Sequence, residues 1–300
     1  MWKAQARPTT EESPRRPLVF MSTLSAVDRF VLGAVCEAHP NVHLLRLHEV
    51  PNPHRRPLWR RVFAHPWRSV KGRVRDAVQG PLFQRMETRI GLALFDTEDL
   101  PPVDDLPLAG VTHAYTWEVK GDVFLRRLRA LDPARMLICG APILPPTVCS
   151  ATSHGAFNIH WGIAPEYRGG NSVFFALREG RSDRVGVTLH DLTPGVDAGD
   201  IVGQATVTVM PDDDETSLWV KSAHEAAVLA ARLAALPADA ALLRRPQGKG
   251  GRMYRYADRT LGREFATALR RHVLRVRPEP ATGTRSLPRA RAEATSVPAA

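Results

Sequence analysis

Short apolar runs recur along this chain with helix-length intervals between them, and that alternation restricts the fold more than any other feature. Residues 17–22 (Pro-Leu-Val-Phe-Met-Ser), 41–48, 136–139, 156–160, 185–189 and 201–209 each read as a strand. Between the first two, Ser25 reads as a helix N-cap, with Asp28 completing a loose capping pattern and Phe30, Val31 and Val35 facing inward. Residues 80–91, 172–178 and 217–236 read as further helices, and 119–131 leads towards another. Strand–helix–strand order predicts an α/β fold: a Rossmann-like, doubly wound, mostly parallel sheet, in a single domain over residues 17–236.

The flanks differ in character. Residues 1–16 form a polar arm that is expected to be disordered, and its lack of an apolar core argues against a secretory signal. Residues 51–78 are proline-broken and basic, and read as an insertion or a surface helix. Residues 237–300 are expected to form a short irregular tail, with one more helix over 261–276 and disorder from about 278. Three cysteines without a CxxC pair fit a reducing, cytoplasmic setting and argue against a disulfide scaffold or a zinc site; no metal is expected. No membrane segment is expected either, because the best apolar run, 228–243, is interrupted by Arg232, Pro237 and Asp239.

The formal charge of +10 is localised. From Arg244 onward 14 Lys and Arg face 4 Asp and Glu, so the rest of the chain is balanced. Within that balanced part lies a second basic cluster: Arg55, Arg56, Arg60, Arg61, Arg68, Lys71, Arg73 and Arg75. Such segments attract phosphates or nucleic acid. No helix-turn-helix, zinc-finger or RNA-binding signature accompanies them, so a nucleic-acid partner is disfavoured.

Chemistry concentrates in residues 157–204. Asn158 and His160 lie two apart on a strand, so both side chains share one face at its carboxyl end, where open α/β sheets bind ligands. An amide can donate to a developing oxyanion while an imidazole moves a proton. Asp197, in the Gly195-Val-Asp197-Ala-Gly199 loop, can approach His160, and a carboxylate there is expected to raise the imidazole pKa and orient the ring. His190 reads as a hydrogen-bonded supporting residue, Tyr167 and Arg168 as loop buttresses, and Ser22 and Ser25 as caps.

In this order, Asn158-Ile-His160, Pro165-Glu-Tyr167-Arg168-Gly169 and Asp197-Ala-Gly199-Asp-Ile201 resemble the folate-dependent formyltransferase family. The likeness runs from about residue 17 to 236 and is specific over 140–204. It implies a catalytic domain that transfers a formyl group from 10-formyltetrahydrofolate to a primary amine. By carry-over, Asn158 holds the formyl oxygen, His160 protonates or polarises it, and Asp197 orients His160 and helps relay the amine proton. The pterin is expected against Ala141, Pro142, Ile143 and Leu144, and against Leu192, Thr193, Pro194, Gly195 and Val196.

Three departures narrow the substrate. Trp161-Gly-Ile-Ala-Pro165 replaces the usual Pro-Ser-Leu-Leu-Pro, so Trp161 either reshapes the amine pocket or packs under it. The glycine-rich phosphate loop of the family's phosphoribosyl-directed members is missing at 21–27, which disfavours a purine precursor. Residues 237–300 lack the strand pattern of the β-barrel that tRNA-directed members append, which disfavours initiator tRNA. The leading expectation is therefore a small-molecule amine acceptor, an amino sugar or a specialised metabolite. The alternatives are a formyltetrahydrofolate hydrolase using water, a phosphoribosylglycinamide formyltransferase-like enzyme and, last, a non-catalytic basic binding protein. The arginines of 51–78 would suit a phosphorylated or nucleotide-linked acceptor. The 16 residues before the first strand leave no room for the regulatory domain usual in the hydrolases.

Overall fold

The computed structural model describes residues 16–50, 52–53, 66–97, 100–248 and 250–290. Among them, one eight-stranded sheet carries the architecture. Its strands are β1 (Leu18–Ser22), β2 (Val42–His48), β3 (Gly110–Tyr115), β4 (Arg135–Cys139), β5 (Ala156–His160), β7 (Gly186–Asp191), β8 (Ile201–Thr206) and β10 (Arg285–Ser286). The spatial order is β10-β8-β7-β5-β4-β1-β2-β3. From β3 to β5 every pairing is parallel, with Phe20 opposite both Leu44 and Leu137; from β5 to β10 every pairing is antiparallel. This is the expected mostly parallel α/β sheet.

Strand position explains the sequence pattern. The central strands β1 and β4 are buried at every residue and carry apolar runs, residues 18–21 and 136–139, as strands covered on both faces do. β3 at the edge alternates, burying only Ala114 fully, and its Gly-Val-Thr-His-Ala-Tyr sequence carried no run for the eye to find. Helices cover both faces. α1 (Ala26–Ala38) packs with Phe20, Leu44, Leu137 and Phe157 on one side, together with Leu229 and Leu233 of the 21-residue helix Glu215–Ala235. Phe124 and Leu128, from the helix Asp122–Ala130, pack with Val19, Met21, Leu45 and Met136 on the other. Ser25 caps α1 in a full capping box with Asp28, as the sequence predicts.

Between β2 and β3 the chain forms α2 (Pro66–Phe95), 30 residues long with Pro81 inside it. The expected insertion at 51–78 and helix at 80–91 are thus joined over 66–95, while Arg55, Arg56, Arg60 and Arg61 and residues 1–15 of the expected arm 1–16 lie outside the described residues. After β5 come β6 (Tyr167–Gly169) and a partner, β9 (Arg252–Tyr254), forming a separate parallel pair. The sequence left 243–256 irregular; a three-residue strand with Arg252 and Met253 exposed and Tyr254 buried has no readable period.

Disorder from about 278 does not hold through residue 290. Arg285 and Ser286 pair antiparallel with Ala205 and Gln204, while Ala281 bridges to Val209 and Ala290 to Leu242. Pro- and Arg-rich composition hid a strap that borrows its order from the sheet edge: Leu287 packs on the main core, and Arg285 makes paired bonds of 2.6 and 2.7 Å to Glu225. Deleting residues 277–300 is expected to cost about 2–3 kcal/mol, from one apolar side chain withdrawn from the core and the lost ladder bonds. Differential scanning calorimetry should show this as a Tm lowered by roughly 5–10 °C.

Candidate active site

β1 is flanked by β2 on one side and β4 on the other, so the connections diverge at the β1–β4 junction, where such sheets open a crevice at their carboxyl ends. A cleft of about 360 Å³ lies there, reaching from Gly140, just past β4, across Asn158 and His160 of β5 to Asp197. Its outer walls are Phe83 and Met86 of α2, Trp161, Trp219 and Tyr256.

The three residues singled out by the sequence converge. His160 Nδ1 is 3.1 Å from Asp197 Oδ2, and Asn158 Nδ2 donates to Asp197 Oδ1 at 3.3 Å. His190, on the neighbouring strand opposite Asn158, joins them: its Nε2 is 3.4 Å from Asp197 Oδ1 and 3.3 Å from Asn158 Nδ2. His190 Nδ1 lies 2.8 Å from its neighbour's carbonyl, which fixes the ring's orientation. It is a hydrogen-bonded support, as expected.

The Tyr167-Arg168-Gly169 segment acts through its backbone. Tyr167 O lies 2.7 Å from His160 Nε2, and Gly169 N–H donates to Asp197 Oδ2 at 2.8 Å. Gly169 has φ +83°, and a Cβ there would sit 2.1 Å from Tyr254 O, so only glycine lets the chain pass this close to β9 while offering its N–H to the carboxylate. Asp197 itself adopts φ +46°, which aspartate tolerates better than most residues and which turns its side chain inward.

Both ring nitrogens of His160 therefore face oxygen acceptors. A neutral imidazole has one proton and satisfies one of them; an imidazolium satisfies both. Against that pull stands burial, with the ring 4 % exposed. Burial lowers the His160 pKa below its ordinary value, and Asp197 and the Tyr167 carbonyl only partly oppose it. The expected rise is thus reversed, because removing the ring from water outweighs one carboxylate. Asp197 behaves in the opposite way: burial favours its neutral form, but His160, His190 and the Gly169 N–H outweigh it and hold the carboxyl at about 2. The pair is an ionised carboxylate beside a ring arranged to bind one more proton.

Gln247 has no counterpart in the sequence reading. Its Nε2 donates to Asp197 O at 3.0 Å and Gly199 O at 2.6 Å, so the tail holds the aspartate loop by main-chain atoms. A lone glutamine in a polar stretch gives no signal of this. Gln247→Ala is expected to lower turnover about tenfold, matching the ~1.4 kcal/mol that one such bond is worth, with kcat reduced more than KM in steady-state kinetics.

Of the positions expected to hold the pterin, Ala141 lines the cleft. Leu144 is buried in the apolar cluster beneath it, and Ala141 and Leu192 pack on that same cluster, so the two loops meet on one face of the sheet. Pro142 and Val196 are half-buried, Ile143, Pro194 and Gly195 are exposed, and none of these lines the cleft. Thr193 Oγ1 is buried with no partner among the described residues. An apolar bed beside an unpaired hydroxyl suits a flat heterocycle with polar edges. Trp161 lines the cleft and packs on Trp219, with ring centres 5.2 Å apart. Among the described residues no group of three His, Cys, Asp or Glu could hold a metal ion, and no helix is long and apolar enough to cross a membrane.

A family model described as "Formyl transferase" matches residues 120–232, the segment from the helix Asp122–Ala130 to the end of the site-bearing strands and most of the long helix after them. Methionyl-tRNA formyltransferase of Listeria monocytogenes serotype 4a (strain HCC23) is 31% identical over 151 residues, covering 46% of this chain and 48% of the relative. The Chlorobium chlorochromatii protein of the same name is 34% identical over 107 residues, covering 36% of this chain and 34% of the relative. The chain spans about half the length, or less, of these curated relatives. A solved 4-N formyltransferase from Francisella tularensis shares the fold, with a TM-score of 0.51 and 12% identity over 81% of this chain and 77% of that one. The resemblance to formyltransferases read from the sequence is borne out over the matched segment.

Proposed function

We propose that this protein transfers a formyl group from 10-formyltetrahydrofolate to the primary amine of a small molecule. The observation that carries the reading is the convergence of Asn158, His160 and Asp197 on one cleft, at 3.1 and 3.3 Å from the shared carboxylate. The match of residues 120–232 to formyl transferases supports it.

Each group then has a chemical task. Attack by a neutral amine makes the formyl carbon tetrahedral and places charge on its oxygen. Asn158 Nδ2, tied to its neighbours by bonds of only 3.3 Å, turns to donate to that oxygen. The nitrogen that attacks must shed a proton, and the Asp197–His160 pair receives it. Taking it up gives the ring protons for both the Asp197 and the Tyr167 contacts. The proton leaves with the N10 nitrogen of tetrahydrofolate as the C–N bond to the donor breaks, so one N–H and one C–N bond are exchanged for another of each.

Donor supplied alone should be nearly inert, and addition of an amine panel should release tetrahydrofolate, followed by absorbance and by mass spectrometry of the formamide. Formate release from donor alone would instead establish the hydrolase. Formylation confined to methionyl-tRNA would replace the small-molecule acceptor with the substrate that the Listeria relative's name states.

A further inference from the structure

The cleft's outer half is built from rings and a carboxylate. Phe83 and Met86 face it from α2, Trp161 and Trp219 pack together as one wall, and Tyr256 stands over Gly170, whose added Cβ would meet the tyrosine ring at 3.1 Å. Tyr256 is 74 % exposed, so its ring is held out at the mouth rather than committed to the core. Among the described residues no lysine or arginine lines this cleft; its carboxylates are Asp197, Glu215 and Glu87. Glu215 is neutralised by paired bonds of 2.6 and 2.9 Å from Arg259. Among the described residues no lysine or arginine pairs with Glu87.

The place where a phosphate would naturally sit is also closed. Helix N-termini attract anions through unpaired N–H groups, and α1 opens toward this cleft after β1. Here, however, Glu87 Oε1 reaches across 61 residues to accept from Ala26 N at 2.5 Å. Asp28 Oδ2 accepts from Ser25 N at 3.2 Å and from Ser22 Oγ at 3.0 Å, and Asp28 is itself buried. Two carboxylates of the chain already occupy the dipole's positive end. An incoming phosphate would meet negative charge where it needs donors.

Resting on the formyl-transfer reading, we infer that the acceptor is an unphosphorylated amine carried on a flat apolar body, its ring against Trp161, Trp219 and Tyr256 and its ammonium drawn in by Glu87. This departs from the phosphorylated acceptor that the arginines of 51–78 suggested. Aromatic pairs prefer offset or edge contacts and stabilise by more than their buried area alone. An ammonium near an aromatic face and a carboxylate is favoured by both.

Isothermal titration calorimetry on the full chain, without donor, tests this with three probes: tyramine, O-phosphotyramine and glucosamine. Tyramine should bind at least tenfold more tightly than either of the others. Tyr256→Ala, at an exposed side chain, should weaken tyramine roughly three- to tenfold, as loss of one ring contact does. Glu87→Gln keeps an acceptor for Ala26 N and removes only the charge; it should weaken tyramine and narrow the gap to O-phosphotyramine. Equal or tighter binding of O-phosphotyramine or of glucosamine overturns the inference, and so does an unchanged tyramine affinity in both variants. The measurement is independent of catalysis. If tyramine binds as expected but no amine is ever formylated, the class of bound ligand stands and the transfer reading fails.

Discussion

His160→Ala is expected to reduce formyl transfer by roughly 10²–10⁴-fold, the usual contribution of a positioned acid–base group. The ring sits between Asp197 and the Tyr167 carbonyl with both nitrogens engaged, so its removal takes away the proton-accepting group held against the carboxylate. Removal leaves a void and an ionised carboxylate short of one partner, so stability must be followed alongside rate. Asp197 still accepts from Gly169 N and Asn158 Nδ2, which is why the fold is expected to survive. Far-UV circular dichroism should be unchanged while single-turnover transfer collapses. A variant keeping more than about a tenth of the wild-type rate lies outside the range for acid–base catalysis and would reject the role given to this residue.

Asp197→Asn should have a comparable effect on rate, about 10²-fold or more, and a distinct effect on stability. The folded carboxyl is held near 2 against 3.8 for the ordinary group. That difference is worth about 2 kcal/mol of folding free energy. A group with a depressed folded pKa stabilises above its unfolded value, and the contribution disappears as pH falls through the folded value. Wild-type stability should therefore decline between about pH 4 and pH 2 through this group, and the asparagine variant should lose that part of the slope. His160 acts in the same sense at higher pH. Its folded pKa is lowered, so the neutral ring stabilises above about 6.5 and the benefit is lost on acidification. Without the Asp197 charge the ring is harder still to protonate, so the variant should show a steeper loss of stability just below pH 6.5. Urea titrations at a series of pH values read both changes, and an unaltered curve would dissociate Asp197 from the His160 ring.

Legibility followed the range of the signal. The strands β1, β4 and β5 could be read because burial on both faces leaves an apolar run, and α1 because its cap and apolar face lie within one helix length. β3 escaped because an edge strand buries little, and the strap at 285–286 because its order comes from partners distant in the chain, the neighbouring strand and Glu225. The direction of the His160 shift was misjudged for a related reason. A carboxylate can be placed near a histidine from sequence spacing, but the depth of burial that outweighs it is a property of the packed protein.

Alone, the order of amino acids determined the alternation of strands and helices and the pairing of an amide with an imidazole on one strand face. Both depend on backbone geometry over a few neighbouring residues, where spacing dictates direction. Packing alone decided that the Tyr167 carbonyl and Gly169 N–H complete the site, that Gln247 pins the aspartate loop, and that Glu87 seals the start of α1. Those contacts join distant parts of the chain, several through main-chain atoms that every residue carries alike. A group common to all residues leaves no mark in a sequence, and only the folded path shows where it comes to rest.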